Sequence, residues 1–288
     1  MTILWIEVAP KVEMKKEVAV KWPESSPSLP EWLATQPTQD WEDTFHRDGC
    51  LTVNNILTED EVRIYKDIYT RMLSGEIDTR RHRHDLGNHV KQVSINQENI
   101  CQIMWPSEYI EDLLKGPLHT RAEAIAHVVL GKDCVLDFDM LISKGPHTNT
   151  ETPWHQDESY WPDQPDKRAA SFWVALDEST VDNGCMWFVP GSHKLPMRPF
   201  RPVSEGHHVL CCDCSEEEGA PRPLKPGSCT VHHGRTLHYS RGNTTNTQRR
   251  AYIVNFRPAD MVKFERDHKF DHGKSGVDEI ILTHKEVQ

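Results

Sequence analysis

Apolar residues recur at helical spacing in several segments between about residue 40 and residue 130. One helical face is formed by Ile64, Ile68 and Met72. Thr58 precedes this face and Glu61 follows Thr58 by three residues, so the two predict a capping box at the start of the helix. Residues 108–130 predict a further helix or pair of helices, broken at Gly116-Pro117. We therefore expect a helix-rich part before residue 133.

Short apolar or alternating runs, bounded by Gly, Pro, Asn and Asp, replace the helical pattern after Gly131. The runs cover residues 134–142, 169–176, 185–189, 228–232 and 250–256, and an earlier one covers residues 50–53. No helical segment is predicted between the later runs. This arrangement is typical of an antiparallel sandwich or an open barrel.

Composition divides the chain into three parts. Residues 1–37 are rich in Pro, Ser and Glu without a sustained period, which predicts an extended N-terminal arm. Residues 38–262 are expected to form a single domain, with a helix-rich part at 38–132 and a strand-rich core at 133–262. Residues 263–288 are then a C-terminal tail.

The net charge of the 288-residue chain is -11, from 33 basic and 44 acidic residues. Such a surface repels nucleic acid and anionic membranes, so we expect neither as a partner and favour a small-molecule substrate. No run reaches the roughly 18 apolar residues that a membrane span needs, and the run at residues 2–8 is too short for a signal-peptide core. We expect a cytoplasmic protein that is a monomer or a homodimer.

The eight cysteines are irregularly spaced, which is not the density of a disulfide-stapled secreted domain. Reduced thiols are therefore expected. Cys211, Cys212 and Cys214 lie close together in the sequence, but they lack the C-x2-C spacing of a zinc site and no second pair follows. We interpret them as free thiols in an acidic loop.

A candidate metal site lies in the strand-rich core. His155 and Asp157 are two residues apart, so in an extended segment their side chains point to the same side. A third ligand is expected from His238, which follows a predicted strand and a turn at Gly234. Two imidazoles and one carboxylate on one face leave coordination positions open, which suits iron(II) that binds oxygen and a cosubstrate.

Two further polar residues follow His238. Ser240 comes two residues later, and Arg249 begins a segment that is predicted to be a buried strand. A guanidinium group inside a barrel needs an anion, because a buried unpaired charge costs several kcal/mol. A dicarboxylic cosubstrate meets this need with its far carboxylate, while its 2-oxo acid end chelates the metal. The alternatives are a local salt bridge for Arg249 and a turn hydroxyl for Ser240.

Several motifs follow one another in a recognisable order: Leu141-Ile142-Ser143-Lys144-Gly145-Pro146, Trp154-His155-Gln156-Asp157, Trp173-Val174-Ala175-Leu176-Asp177, Asn183-Gly184-Cys185, Pro190-Gly191-Ser192-His193 and the block from His238 to Phe256. With these motifs the chain resembles the phytanoyl-CoA dioxygenase family of Fe(II)/2-oxoglutarate-dependent oxygenases, from about residue 40 to residue 258. The resemblance implies a mainly-β fold with flanking helices and a double-stranded β-helix core of the jelly-roll, cupin-like kind. It also implies hydroxylation of a substrate C–H bond, with conversion of 2-oxoglutarate and O2 to succinate and CO2.

The resemblance also implies roles for individual residues. His155, Asp157 and His238 match the metal ligands of the family and are the expected catalytic centre. Arg249 and Ser240 match the pair that binds the far carboxylate of 2-oxoglutarate. The tryptophan on the cosubstrate side of the family site is matched by Trp173.

The substrate pocket is predicted less directly. Trp161, six residues after His155, lies where a related hydroxylase of a small osmolyte has a pocket tryptophan. Gln102 and Asp139 are further candidates for the pocket wall. The helix-rich part and the segment around residues 197–202 would complete it.

Other conspicuous polar residues are interpreted as structural. Residues 190–193 form a turn motif, so His193 is left out of the active site. His232 and His233 are expected to support the ligands or to pack, since three ligands already complete the metal face. The basic run at residues 80–84 is interpreted as a solvated loop, with recognition of an anionic substrate group as the alternative.

Two other functions use part of this pattern. A cupin-like metal-dependent lyase or isomerase, or a dioxygenase that does not use 2-oxoglutarate, needs a similar metal triad but no inward Arg249. A binding protein without activity is expected to lose a ligand or the arginine, and this chain retains both.

Overall fold

The computed structural model describes residues 19–87, 98–204 and 209–275. The helices are α1 (Leu29–Leu33), α2 (Thr38–Asp48), α3 (Glu59–Leu73), α4 (Pro117–Val129) and α5 (Ala259–Asp267). The strands of the first half are β1 (Cys50–Val53), β2 (Arg83–Asp85), β3 (Ile100–Met104), β4 (Cys134–Lys144), β5 (Thr152–His155) and β6 (Ala170–Ala175). Those of the second half are β7 (Met186–Phe188), β8 (Phe200–Pro202), β9 (Leu210–Cys212), β10 (Ala220–Arg222), β11 (Cys229–His232), β12 (His238–Ser240) and β13 (Arg249–Pro258).

Two antiparallel sheets form the core. The larger sheet has the order β1-β11-β6-β13-β4-β3-β2, and the smaller has the order β10-β7-β12-β5. Trp173 and Ile253 of the larger sheet pack with Met186 and Phe188 of the smaller one. The two sheets therefore enclose an apolar interior, which is the jelly-roll arrangement. The predicted mainly-β fold with flanking helices is confirmed.

The larger sheet is buried on both faces, and its central strand β13 shows how. It pairs with β4 on one side and β6 on the other. Because side chains alternate along a strand, Ala251 and Ile253 face the smaller sheet while Tyr252 and Val254 face the helices. The helices α2, α3 and α4 contribute apolar residues to the core on that second face.

The predicted capping box starts α3. Thr58 Oγ1 accepts a hydrogen bond from the Glu61 amide at 3.3 Å, and Glu61 Oε2 accepts one from the Thr58 amide at 2.7 Å. The Glu61 carboxylate also forms a buried ion pair with Arg121 of α4. One glutamate therefore caps α3 and joins it to the neighbouring helix.

The segment before residue 38 departs from the predicted extended arm over residues 19–37. Trp32 of α1 is buried and stacks on Trp41 at a ring distance of 5.9 Å, and Trp22 lies 5.0 Å from Tyr65. The indole rings bury enough apolar area to fix a Pro-rich segment on the core. Residues 1–18 of the predicted arm lie outside the described residues.

The predicted boundary between residues 262 and 263 falls inside α5. Phe270, in the predicted tail, is buried beside Trp161 and Ala169. Residues 276–288 lie outside the described part of the chain. No helix in the described ranges is long and apolar enough to cross a membrane.

Candidate metal centre and anion site

The side chains of His155, Asp157 and His238 converge on the inner face of the smaller sheet. His155 ends β5, and the register pairs it directly with His238, the first residue of β12. Gln156 is extended, so Asp157 returns to the same side as His155. Asp157 Oδ1 lies 3.6 Å from His155 Nε2 and 3.3 Å from His238 Nε2. The structure thus brings the three predicted ligands within reach of one ion.

Backbone carbonyl groups orient both imidazoles. His155 Nδ1 lies 2.7 Å from the Pro153 oxygen, and His238 Nδ1 lies 2.9 Å from the Thr236 oxygen. An Nδ1–H group that donates to a carbonyl leaves the Nε2 lone pair free for a metal. Burial and the neighbouring His238 also lower the pKa of His155, which favours the neutral imidazole that a metal requires.

The second carboxylate oxygen of Asp157 is held by two residues of the larger sheet. Asp157 Oδ2 accepts a hydrogen bond from Ser171 Oγ at 2.9 Å and lies 3.2 Å from His232 Nε2. Burial alone would raise the pKa of Asp157, but the surrounding histidines hold this pKa well below its ordinary value. The carboxylate is therefore ionised, and Oδ1 is directed at the two imidazoles. Ser171 was not predicted from the sequence, although it shares the inner face of β6 with Trp173.

Arg249 is fully buried at the start of β13. Its guanidinium carbon lies 5.0 Å from the centre of the Trp173 ring, and its Nε and Nη1 atoms have no hydrogen-bond partner among the described residues. Burial lowers the pKa of Arg249 to about 10. A buried cation without a carboxylate partner is the feature expected of a site that receives an anion.

Lys144 lies beside Arg249 and was not assigned a role from the sequence. The register pairs the two residues directly, and Lys144 is 0% exposed. The Nζ atom donates hydrogen bonds to Ser240 Oγ at 2.8 Å, to the Ser240 carbonyl at 3.2 Å and to the Arg241 carbonyl at 2.7 Å. Burial and the charge of Arg249 hold the pKa of Lys144 well below its ordinary value.

Trp161, the predicted pocket tryptophan, lies in a different environment. It packs with Ala169 and Phe270, and its ring lies 4.3 Å from the Arg257 guanidinium carbon. The preceding residue, Tyr160, lies against one of the metal ligands instead: its ring is edge-on to that of His155, with the ring centres 6.1 Å apart. Residues 157–160 form a 3-10 turn, so the alternation of a strand does not extend to this point.

Of the two other pocket candidates, only Gln102 lies on the inner face. Asp139 is buried on the helix side of β4, where it accepts hydrogen bonds from Ser107 Oγ at 2.9 Å and the Tyr252 hydroxyl at 2.7 Å. The prediction that Asp139 lines the pocket is therefore wrong. Gln102 pairs with Ile142 in the register and shares its side of the sheet.

The segment around residues 197–202 lies next to the metal motif. The Arg198 amide donates a hydrogen bond to Gln156 Oε1 at 3.0 Å. Cys212, on the partner strand of β8, donates through Sγ to the Trp154 carbonyl at 3.4 Å. The hairpin of β8 and β9 is thus attached on both sides of His155. Cys211, Cys212 and Cys214 are free thiols.

The other sequence motifs serve the framework. Ser192 Oγ accepts a hydrogen bond from the Leu237 amide at 2.9 Å, which holds the residue before His238. His193 packs against His233 at a ring distance of 5.5 Å. In the basic run, Arg83 forms a bidentate pair with Glu98 at 2.8 Å for both hydrogen bonds.

A second group of possible metal ligands consists of Asp137, Glu265 and His272. The positive charge between these carboxylates is an arginine side chain: Arg257 Nη1 lies 3.2 Å from Asp137 Oδ2 and 2.7 Å from Glu265 Oε1. Arg266 also pairs with Asp137. We interpret this group as an ion-pair network that fastens α5 to the larger sheet.

A jelly-roll barrel with two histidines and one aspartate on an inner face is typical of the non-haem iron oxygenases. The family model described as phytanoyl-CoA dioxygenase matches residues 45–251. A phytanoyl-CoA dioxygenase of Arabidopsis thaliana is 25% identical over 273 residues, which cover 82% of this chain and 94% of that protein. Phytanoyl-CoA dioxygenase domain-containing protein 1 of Mus musculus is 32% identical over 127 residues, which cover 42% of this chain and 44% of that protein.

Solved structures show the same relationship. EvdO2 from Micromonospora carbonacea var. aurantiaca, complexed with 2-oxoglutarate, has a TM-score of 0.66 and 28% identity, over 76% of this chain and 90% of that chain. The epimerase SnoN, in complex with Fe3+, alpha ketoglutarate and nogalamycin RO, has a TM-score of 0.59 and 26% identity, over 77% of this chain and 84% of that chain.

The chain belongs to the phytanoyl-CoA dioxygenase family. It is an enzyme of the iron- and 2-oxoglutarate-dependent oxygenase superfamily. Iron(II), 2-oxoglutarate and O2 are the cofactor and cosubstrates of this class, and the described residues fit them. The three ligand atoms suit the metal, and the unpartnered Arg249 suits the far carboxylate.

Proposed function

We propose that the protein is a dioxygenase that hydroxylates a small-molecule substrate. The observation that carries the proposal is the combination of a three-residue metal face with an unpartnered, buried guanidinium on the inner side of the same barrel. When bound, iron(II) and 2-oxoglutarate supply the oxidising chemistry, in which O2 and 2-oxoglutarate are converted to succinate and CO2 and one oxygen atom enters a substrate C–H bond.

His155, Asp157 and His238 would hold the metal. Their ligand atoms come from one side, so the opposite coordination positions stay open for the 2-oxo acid group and O2. Nδ1–H groups that donate to the carbonyls of Pro153 and Thr236 would turn Nε2 of each imidazole towards the metal. These contacts keep the ligand set assembled before any cofactor binds.

The far carboxylate of 2-oxoglutarate would bind at Arg249 and Ser240. Ser240 lies two residues after His238 on β12, a step of about 7 Å along a strand, which is comparable with the length of an extended five-carbon diacid. The unpartnered Nε and Nη1 atoms of Arg249 offer two donors to a carboxylate. Trp173 covers the guanidinium with its ring and keeps water from it.

The substrate would approach from the side of Tyr160 and Gln102. Both side chains are only partly buried, in contrast to Arg249 and Ser240. Tyr160 offers an aromatic wall beside His155, and Gln102 offers an amide on the inner face of β3. The surface is uncharged at these positions, which favours a neutral or apolar portion of a small molecule at the metal.

Epimerisation is a second candidate outcome, because the relative SnoN is described as an epimerase. Both reactions require the same metal and 2-oxoglutarate residues. They differ in whether the product gains an oxygen atom. Product analysis separates epimerisation from hydroxylation.

The test is a screen of small molecules for stimulated succinate formation, followed by mass analysis of the product under 18O2. Hydroxylation predicts 2-oxoglutarate-dependent succinate and a product that carries one 18O atom. A product of unchanged mass with altered stereochemistry would favour epimerisation. Turnover that does not need 2-oxoglutarate would instead favour a cupin-like lyase, isomerase or 2-oxoglutarate-independent dioxygenase.

A further inference from the structure

We propose that Lys144 is a positioning residue of the cosubstrate site, which makes the deep end of the barrel selective for a dicarboxylic 2-oxo acid. The inference rests on the proposed 2-oxoglutarate site at Arg249 and Ser240. In this inference Lys144 orients the hydroxyl of Ser240. It also adds a second buried positive charge to that of Arg249.

The first observation is the environment of the ammonium group. Lys144 is completely buried, and each hydrogen bond of Nζ goes to Ser240 or Arg241. Its acceptors are a hydroxyl and two carbonyl oxygens, and no carboxylate forms an ion pair with it in the described ranges. Burying a lysine without a counter-ion is costly, so a purely structural role would be served better by an uncharged residue.

The second observation is the direct pairing of Lys144 with Arg249 in the register of β4 and β13. Each charge destabilises the other, and burial together with Arg249 lowers the pKa of Lys144. One anion bound beside both buried cations would offset the charge of each. The far carboxylate of 2-oxoglutarate is the anion that the proposed function provides.

The third observation concerns the hydroxyl of Ser240. Ser240 Oγ accepts a hydrogen bond from Lys144 Nζ at 2.8 Å, so a lone pair of this oxygen is occupied. The hydroxyl proton then remains available for an acceptor on the inner side. Lys144 thus converts Ser240 into a donor that is aimed at the carboxylate.

A glycine makes room for this arrangement. Gly184 adopts a φ of +90°, and a Cβ atom there would lie 2.4 Å from the Arg241 carbonyl and 3.4 Å from Lys144 Cδ. The Asn183-Gly184 turn therefore allows the Arg241 carbonyl to approach the lysine. A conspicuous motif of the sequence is explained by the same site.

The experiment measures binding of two 2-oxo acids to the Fe(II)-loaded protein by anaerobic calorimetry. The ligands are 2-oxoglutarate and 2-oxopentanoate, which has the same carbon chain without the far carboxylate. The variants are Lys144→Met, which has a similar length and no charge, and Lys144→Gln, which keeps hydrogen-bond donors. Lys263→Met is the matched control, because Lys263 is exposed and pairs only with Asp267 in the described structure.

We expect Lys144→Met and Lys144→Gln to weaken 2-oxoglutarate binding by about tenfold to a hundredfold, the range of one charge-assisted interaction, and to leave 2-oxopentanoate binding unchanged. A structural role would lower both affinities equally, and either an equal loss or no loss overturns the assignment. If neither variant folds, the wild type decides: a preference for 2-oxoglutarate below about tenfold overturns it. Failure of the wild type to bind 2-oxoglutarate overturns the proposed function as well.

Discussion

Ser171 Oγ donates a hydrogen bond to Asp157 Oδ2 at 2.9 Å, while the other oxygen of this carboxylate faces both ligand histidines. Ser171 in turn accepts a hydrogen bond from Asn255 Nδ2 at 2.7 Å. A chain of polar contacts from the central strand of the larger sheet therefore sets the orientation of the metal carboxylate. The metal centre joins the two sheets.

Ser171→Ala is expected to weaken metal binding by about tenfold to a hundredfold, as is usual when a residue that orients a ligand is removed. The fold should remain intact, because the side chain is small and its loss leaves β6 in place. Competition titration of Fe(II) or Zn(II) measures the effect. Ser74→Ala, at an exposed helix end, is the control. Equal metal affinity in wild type and Ser171→Ala would show that this contact does not support the site.

Arg249 and Arg257 lie on the same strand and are both buried, but opposite results are expected when each is replaced by methionine. Arg249→Met should weaken 2-oxoglutarate binding by about 1.5–3 kcal/mol and leave the unfolding free energy of the ligand-free protein unchanged or higher. Arg257→Met should lower the unfolding free energy by about 3–5 kcal/mol, because the buried Asp137 and Glu265 lose the guanidinium group that pairs with both. Urea unfolding and ligand titration distinguish the two, and a large loss of stability in Arg249→Met would contradict the anion site.

Glu61 is expected to contribute more to stability than Glu31, although both occupy the third position of a capping box. Glu61→Ala removes a cap and leaves the buried Arg121 without its carboxylate, which should cost about 3–5 kcal/mol of unfolding free energy. Glu31→Ala removes only an exposed contact with Ser28 and should cost much less than Glu61→Ala. Equal costs in thermal or urea unfolding would refute the buried ion pair.

His233 should make the protein less stable in acid. Burial, aided by the neighbouring His193, lowers the pKa of His233 to about 4 in the folded state, below its ordinary value of 6.5. The unfolded chain therefore binds the proton more readily than the folded protein. The stability that comes from keeping His233 neutral is fully present above pH 6.5 and is lost as the pH falls towards 4. The total loss of unfolding free energy from this residue is about 3 kcal/mol.

His233→Asn tests this dependence, because the asparagine oxygen can replace Nδ1 as the acceptor of the Arg235 amide. Urea unfolding between pH 7.5 and pH 4.5 should show a shallower loss of stability in His233→Asn than in the wild type. The exposed His268→Asn serves as the control. An identical slope in His233→Asn and the wild type would rule out His233 as its source.

Local pattern was sufficient to predict six strands of the two core sheets, β1, β4, β6, β7, β11 and β13, and the pairing of His155 with Asp157, since both depend on alternation along a single segment. Contacts across strands could not be predicted in this way. Ser171 meets Asp157 only because β6 and β11 bring Ser171 opposite His232. Lys144 meets Arg249 through the register of β4 and β13.

Asp139 shows where alternation becomes ambiguous. Strand β4 is buried on both faces, so a polar residue within it can face the metal or the helices, and hydrophobicity does not distinguish the two. Trp161 was predicted from the position of a tryptophan in a related hydroxylase. In this chain the turn that begins at Asp157 leads Trp161 to Ala169 and Phe270. The segment before residue 38 was misjudged because its proline content obscured the apolar area of Trp22 and Trp32.

The central claim is that His155, Asp157 and His238 hold iron(II) with 2-oxoglutarate chelated at the open positions. Anaerobic addition of Fe(II) and then 2-oxoglutarate to the wild type is expected to produce the visible metal-to-ligand charge-transfer band of a chelated 2-oxo acid. Asp157→Ala and His238→Ala should lose this band. Absence of the band in the wild type, or an unchanged band in either variant, would contradict the account.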